Sequence, residues 1–163
     1  MRQTSLCILI KENEGQILLA MKKRGFGKGR WNGVGGKPDS EKGDKNVLDS
    51  AKRESEEEIG VKIQNPEKVA VVDFLFPEVP KEKEFDQQTH IFLIRKWEGE
   101  PRESEEMRPK WFSVEDIPFN QMWSDDRHWL PHILAGKKLK GKFIFDGKDK
   151  VVNKTLKFVK KLK

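Results

Sequence analysis

Residues 53 to 60, RESEEEIG, place four glutamates within five consecutive positions of a chain whose formal net charge is +6. On a helix turning 100° per residue, Glu54, Glu57 and Glu58 stand at i, i+3 and i+4 on one narrow face, while Glu56 points nearly the opposite way. Like charges stacked in this way repel one another. Two readings account for them. One is a solvated acidic surface, common on helices of charged proteins. The other is an oxygen-rich site for a hard divalent cation, beside which Arg53, one turn before Glu57, is the obvious local cation.

Just upstream, residues 23–38 (KRGFGKGRWNGVGGKP) carry six glycines, so the backbone there is free to turn and to approach a ligand closely. The segment is not a Walker A loop. No glycine stands five residues before Gly36, and Lys37 is followed by Pro38 rather than Ser or Thr. No G-x-G-x-x-G pattern fits either. A glycine loop beside a helix that presents carboxylates suits a phosphate chain bridged to Mg²⁺, with backbone and lysines on the phosphates and metal neutralising the charge that develops as a bond breaks.

The helix that would carry the glutamates is predicted from about Asn46 to Ile59. Leu48, Ala51, Ser55 and Ile59 form its inner stripe, Gly60 its stop and Asp44 its N-cap. Before it, 3–11 and 16–21 read as strands of a hairpin turned by ENEG, with Gly15 at the bend. After it, strands are expected at about 68–76, 89–97 and 110–114. A second helix is expected from near Ser124 through DDRHWLPHILAG, kinked by Pro131. A last pair of strands is expected at 142–146 and 154–159.

The chain's 163 residues suit one domain, 1–163, with a core of its own. Charged residues make up 37% and the mean hydropathy is −0.78, yet apolar clusters recur, as in a globular protein with a highly charged surface. No apolar run approaches the length of a membrane span and no leader peptide is evident, so a cytoplasmic protein is expected, with nucleus and mitochondrion left open. The single cysteine, Cys7, excludes an internal disulfide and any cysteine-based zinc spacing. Residues 137–163 hold eleven lysines against two aspartates, a net of +9. Such an end can attract nucleic acid, but lysine without arginine or exposed aromatics more commonly marks a solvated face.

RESEEEIGV resembles the second half of the Nudix box, in which G, five residues, E and seven residues precede R-E-U-x-E-E-x-G-U, with U apolar. Arg53, Glu54, Glu57, Glu58, Gly60 and Val61 match. Ser55 replaces the apolar residue, and Lys45 and Asp39 stand where the first glutamate and the glycine belong. Counted from Gly36 the segment is about three residues too long, and Glu41 and Asp44 are the acids available in the missing glutamate's place. Three further stretches, MKKRGFGKGRWNGVGGK, ESEEMRPKWF and MWSDDRHWLP, are similar in the same order to the MutT-like branch that hydrolyses oxidised purine nucleoside triphosphates.

That resemblance implies an α/β Nudix fold, a mixed β-sheet sandwiched between α-helices, and Mg²⁺-dependent hydrolysis, with Mn²⁺ as a substitute. It implies metal ligation by Glu54, Glu57, Glu58, Glu106 and the Gly35 carbonyl, with Arg53 orienting the glutamates. Lys22, Phe26, Asn32, Gly35 and Gly36 would line the nucleotide pocket, walled by Phe74 and Met107. Trp123 would stack on the base, as an indole can on a purine, or be a core tryptophan. Asp125 and Asp126 would read the base edge, one kept protonated as a donor by desolvation and repulsion, or would complement a helix dipole. Asn32 is otherwise a turn residue, and Lys22 a solvated strand end. Phe74, Phe76 and Met107 could equally be ordinary core. Cys7 is read as a pocket residue at a position where the branch usually has threonine, so that the ligand would find one hydroxyl fewer there, and Gln87 lies near where an apolar pocket residue is expected, beside a longer loop. The expected partner is a small-molecule nucleotide, with neither membrane nor nucleic acid, and the chain acting as a monomer. The competing readings are a Nudix pyrophosphatase for methylated purines, dinucleoside polyphosphates or capped RNA, and a non-catalytic nucleic-acid module using the lysine-rich end.

Overall fold

The computed structural model describes residues 1–162. Ten strands and two α-helices follow one another as β1 (Arg2–Lys11), β2 (Gln16–Lys22), β3 (Trp31–Asn32), α1 (Val47–Ile59), β4 (Lys62–Gln64), β5 (Glu67–Leu75), β6 (Gln87–Ile94), β7 (Lys96–Glu98), β8 (Met107–Ser113), α2 (Asp126–Leu134), β9 (Lys138–Phe145) and β10 (Val151–Val159). Eight strands form a mixed sheet in the order β10-β9-β5-β6-β1-β2-β3, with β8 also pairing β2, while β4 and β7 make a separate ribbon. Strand β1 runs parallel to β6 and antiparallel to β2, and β5 runs parallel to β9.

Period-two alternation sorts the core into two layers. Cys7 and Leu9 of β1 pack with Ala51 and Ile59 of α1, whereas Ile8 and Ile10 pack with Trp129, Leu130 and Ile133 of α2. The helices therefore cover opposite faces of the sheet, the α/β sandwich the sequence leads one to expect.

The first hairpin forms as expected, with ENEG folding as a 3-10 turn and Gly15 at φ 61°. Helix α1 also stops at Gly60, which adopts φ 74° and donates its N–H to the Glu56 carbonyl, while the N–H of Val61 donates to the Ser55 carbonyl. Its cap differs from expectation. Asn46, not Asp44, accepts from the Asp49 N–H at 2.9 Å, because the Asp44 carboxylate is already taken by Arg53 and by the backbone N–H of Asp39. Asn46→Ala is expected to cost about 1 kcal/mol, lowering Tm in thermal unfolding by about 2–4 °C. Ser55, polar on the apolar stripe, is fully buried and satisfied within the helix by donating to the Ala51 carbonyl at 2.7 Å.

The expected 89–97 strand is two strands, split at Arg95 so that β7 leaves the main sheet to pair with β4. Strands β3, β4 and β7 are too short to show a periodicity of their own. The 110–114 strand begins earlier, at Met107, and β9 and β10 both begin before their expected starts. Helix α2 runs on to Leu134 with Pro131 inside it. Among the described residues no helix is long and apolar enough to cross a membrane.

Candidate active site

The glycine loop is held against the edge of β1. Ser5 N–H donates to the Gly36 carbonyl at 2.9 Å, and Val34 and Cys7 exchange backbone bonds. A Cβ at Gly35 would lie 2.0 Å from the Ser5 carbonyl oxygen and one at Gly33 2.6 Å from that of Cys7, so only glycine permits this approach. A Cβ at Gly36 would fall 3.1 Å from the Glu54 carboxylate. The loop thus brings its backbone to the glutamate face of α1.

On that face Arg53 donates to Glu54 at 2.8 Å, to Glu57 at 3.0 Å and through two nitrogens to Asp44 at 2.8 and 3.0 Å. Of the two acids available in place of the first box glutamate, Asp44 therefore reaches the arginine, while Glu41 is exposed. Glu58 is buried and its Oε2 has no hydrogen-bond partner. Burial, and next the hydrogen bond with Glu54, push its carboxyl up to about 9. Glu106, from the turn before β8, is bound by Arg24, which holds its carboxyl below the usual range.

Among the described residues no three His, Cys, Asp or Glu side chains stand together as a preformed metal cage; Arg53 holds Glu54 and Glu57, and Arg24 holds Glu106. The donor set nonetheless fits a hard divalent cation. An orphaned buried carboxylate oxygen lies beside a second carboxylate with which it must share a proton, and a cation is the group that would let both ionise.

A cavity of about 450 Å³ opens next to this face. Its lining includes Gly35, Gly36, Lys37 and Glu54, together with Asn32, Trp123, Asp125, Asp126, Lys22, Phe26, Phe74 and Met107. Arg53, Glu57, Glu58 and Glu106 stand outside its lining. Cys7 does not face it. As an odd residue of β1 the cysteine points under α1, where it is 1% exposed and burial pushes the thiol up to about 12. The cavity instead meets Thr4, Ser5 and Leu6, so the hydroxyls that β1 brings to it come from Thr4 and Ser5 rather than from position 7. Gln87 does line the cavity and accepts from Thr4 at 3.1 Å.

Asp125 and Asp126 are each 3% exposed. Asp125 Oδ2 accepts from the Trp129 indole N–H at 2.7 Å, whereas Asp126 Oδ2 has no partner. Burial pushes Asp125 up to about 6, and burial together with the Asp125 charge lifts Asp126 well above the usual carboxylate range. Both sit at the start of α2, but neither side chain caps the helix. Asn32 Oδ1 accepts from the Gly33 N–H at 2.9 Å, a local turn bond that leaves the amide donors free of that contact. Phe26 packs on Phe85 and Trp123, with ring centroids 4.3 and 5.0 Å apart. Among the lining residues that escape sequence reasoning are Arg30, whose guanidinium lies 4.1 Å from the centre of the Trp123 ring, and Thr4. Neither has a local signal, since their partners are distant in the chain.

The NUDIX domain family model matches residues 1–133. The chain is 41% identical over 151 residues to the oxidized purine nucleoside triphosphate hydrolase of Danio rerio, covering 93% of this chain and 92% of that one. It is 43% identical over 144 residues to the protein of the same name from Mus musculus, covering 88% of each. A crystal structure of the MutT protein from Bacillus halodurans matches with a TM-score of 0.79 at 25% identity, covering 96% of this chain and 97% of that one.

Proposed function

The chain belongs to the NUDIX family, and from that premise we propose that it hydrolyses oxidised purine nucleoside triphosphates, of the 8-oxo-dGTP or 2-oxo-dATP type, to the monophosphate and pyrophosphate with Mg²⁺, clearing damaged nucleotides from the pool. Mn²⁺ would serve in its place. The observation that carries the reading is one cavity whose lining holds a buried pair of aspartates, an indole and Glu54 of the glutamate face of α1. The relatives named above support the same substrate class. The family model ends at residue 133, and β9 and β10 continue the same sheet, which supports reading 1–163 as one catalytic domain.

In this reading the purine stacks on Trp123, with Asp125, Asp126 and Asn32 at its polar edge. Two buried carboxyls of raised pKa supply both a donor and an acceptor, so one pocket takes more than one oxidised purine. Lys22 and the backbone of Gly35 and Gly36 receive the phosphates. Glu54, Glu57, Glu58 and Glu106, with the Gly35 carbonyl, would hold Mg²⁺, which when bound neutralises phosphate oxygens. Arg53, tied to Asp44, keeps Glu54 and Glu57 aligned. Water is the nucleophile, and the phosphoanhydride bond between the α and β phosphorus atoms breaks.

A second reading, a Nudix pyrophosphatase for a nucleotide carrying a further group, such as a dinucleoside polyphosphate, is favoured by one feature. A second cavity of about 680 Å³, walled by the 77–86 loop, adjoins the first and shares Arg2, Lys37 and Phe76 with it. Pyrophosphate release from oxidised and normal purine triphosphates, with and without Mg²⁺, decides for or against the first reading. Mg²⁺-dependent turnover that favours the oxidised bases by at least about tenfold is the expected result. Equal rates on normal bases, or preferred cleavage of a dinucleoside polyphosphate run alongside, would reject it.

A further inference from the structure

We propose that Arg30 and Asp149 set base affinity by bracing the Trp123 indole, so that the tip of the C-terminal hairpin is part of the base pocket although it contributes no residue to the metal face. The inference rests on the reading that Trp123 stacks on the substrate base. The Arg30 guanidinium lies over the indole, 4.1 Å from its centre, and is itself fixed by an ion pair to Asp149 at 3.2 Å. Asp149 occupies the β9–β10 turn with φ 61°.

The same turn is tied to the indole's neighbour. Ser124 donates its hydroxyl to the Asp149 carbonyl at 3.3 Å and accepts from the Val151 N–H at 3.1 Å. On the glycine-loop side, Arg30 is anchored through its backbone: its N–H donates to Gly27, and its carbonyl accepts from Lys22 at the end of β2. Gly27 itself, at φ 88°, lies so close that a Cβ would stand 3.4 Å from the indole nitrogen.

These contacts support the indole from one face, and the stacking reading puts the base on the other. A planar guanidinium suits that task, since it stacks on an aromatic face and remains charged at any working pH. A tryptophan held before binding loses less freedom when the base arrives, so the brace acts on affinity more than on the bond-breaking step. Arg30 and Asp149 are thus positioning residues.

The test compares Arg30→Ala, Arg30→Lys, Asp149→Asn and Trp123→Ala in steady-state kinetics on 8-oxo-dGTP, with Tm measured for each. Arg30→Ala is expected to raise KM about five- to tenfold with kcat within about twofold. Arg30→Lys should restore less than half of that loss, because an ammonium has no plane. Asp149→Asn should shift KM in the same direction by less, and add nothing on top of Arg30→Ala. If Arg30→Ala or the two milder variants leave KM unchanged while Trp123→Ala raises it, the brace is wrong and the stacking reading stands. If Trp123→Ala also leaves KM unchanged, the stacking reading itself fails. A fall in Tm without a KM shift assigns the contact to fold stability and overturns the proposal, as does a lower KM, which would mean that Arg30 occupies the base's place.

Discussion

Glu54→Gln is expected to cut Mg²⁺-dependent pyrophosphate release by at least about 100-fold, since even residues that only support a metal ligand cost 10–100-fold when replaced. Glu54 lines the cavity, meets Gly36 of the glycine loop, hydrogen-bonds to Glu58 and accepts from Arg53. Glutamine keeps the shape and the bond to Arg53 but removes half of the charge that a divalent cation would find between Glu54 and Glu58. Glu56→Gln, two residues on and exposed on the other side of the same helix, should leave kcat within about twofold. Steady-state assays of the pair check the prediction, because helix propensity and net charge change equally in both.

Asp126→Asn is expected to lower kcat/KM for oxidised purine relative to the normal base by about 10–100-fold. Asp125 is committed to Trp129, so the unpartnered oxygen of Asp126 is the one left for a ligand. An amide offers a donor there but cannot exchange donor for acceptor as a carboxyl does when it gains or loses a proton. The same pair makes stability depend on pH. Both carboxyls have folded pKa values above their unfolded ones, so the stability they contribute is fully present below about pH 4. It falls as pH rises above that, the share of Asp125 being lost by about pH 6 and that of Asp126 continuing to fall above it. Metal-free Tm attributable to these groups should therefore decline from pH 5 to pH 8, and Asp126→Asn should flatten that slope. Thermal melts across the range read it directly.

Helix α1 and its converging glutamates are legible in the sequence because both rest on local spacing, the 100° turn and Gly60. The glycine loop is legible for the same reason: only close backbone approach explains Gly33 and Gly35 together. What depends on distant partners is not. Asp44 reads locally as an N-cap, yet Arg53 nine residues on claims it and Asn46 takes the role. Cys7 and its neighbours show how narrow the margin is in a strand. A shift of one residue exchanges the two faces of β1, so a thiol assigned to the pocket lies under α1 while Thr4 and Leu6, of the other parity, line the cavity. The break at Arg95 is invisible because β4, the partner of β7, is three residues long. Arg30 reads as one more basic residue among glycines until the fold brings Trp123 and Asp149 to it.

The claim beneath all of these expectations is that Glu54 and its neighbours bind a divalent ion against the phosphate tail. Mn²⁺ titrated into the protein with a non-hydrolysable triphosphate analogue, and followed by electron paramagnetic resonance, measures that directly. Saturable binding in the native chain and in Glu56→Gln, lost in Glu54→Gln, is the predicted result. Equal binding in all three, or none in any, would contradict it.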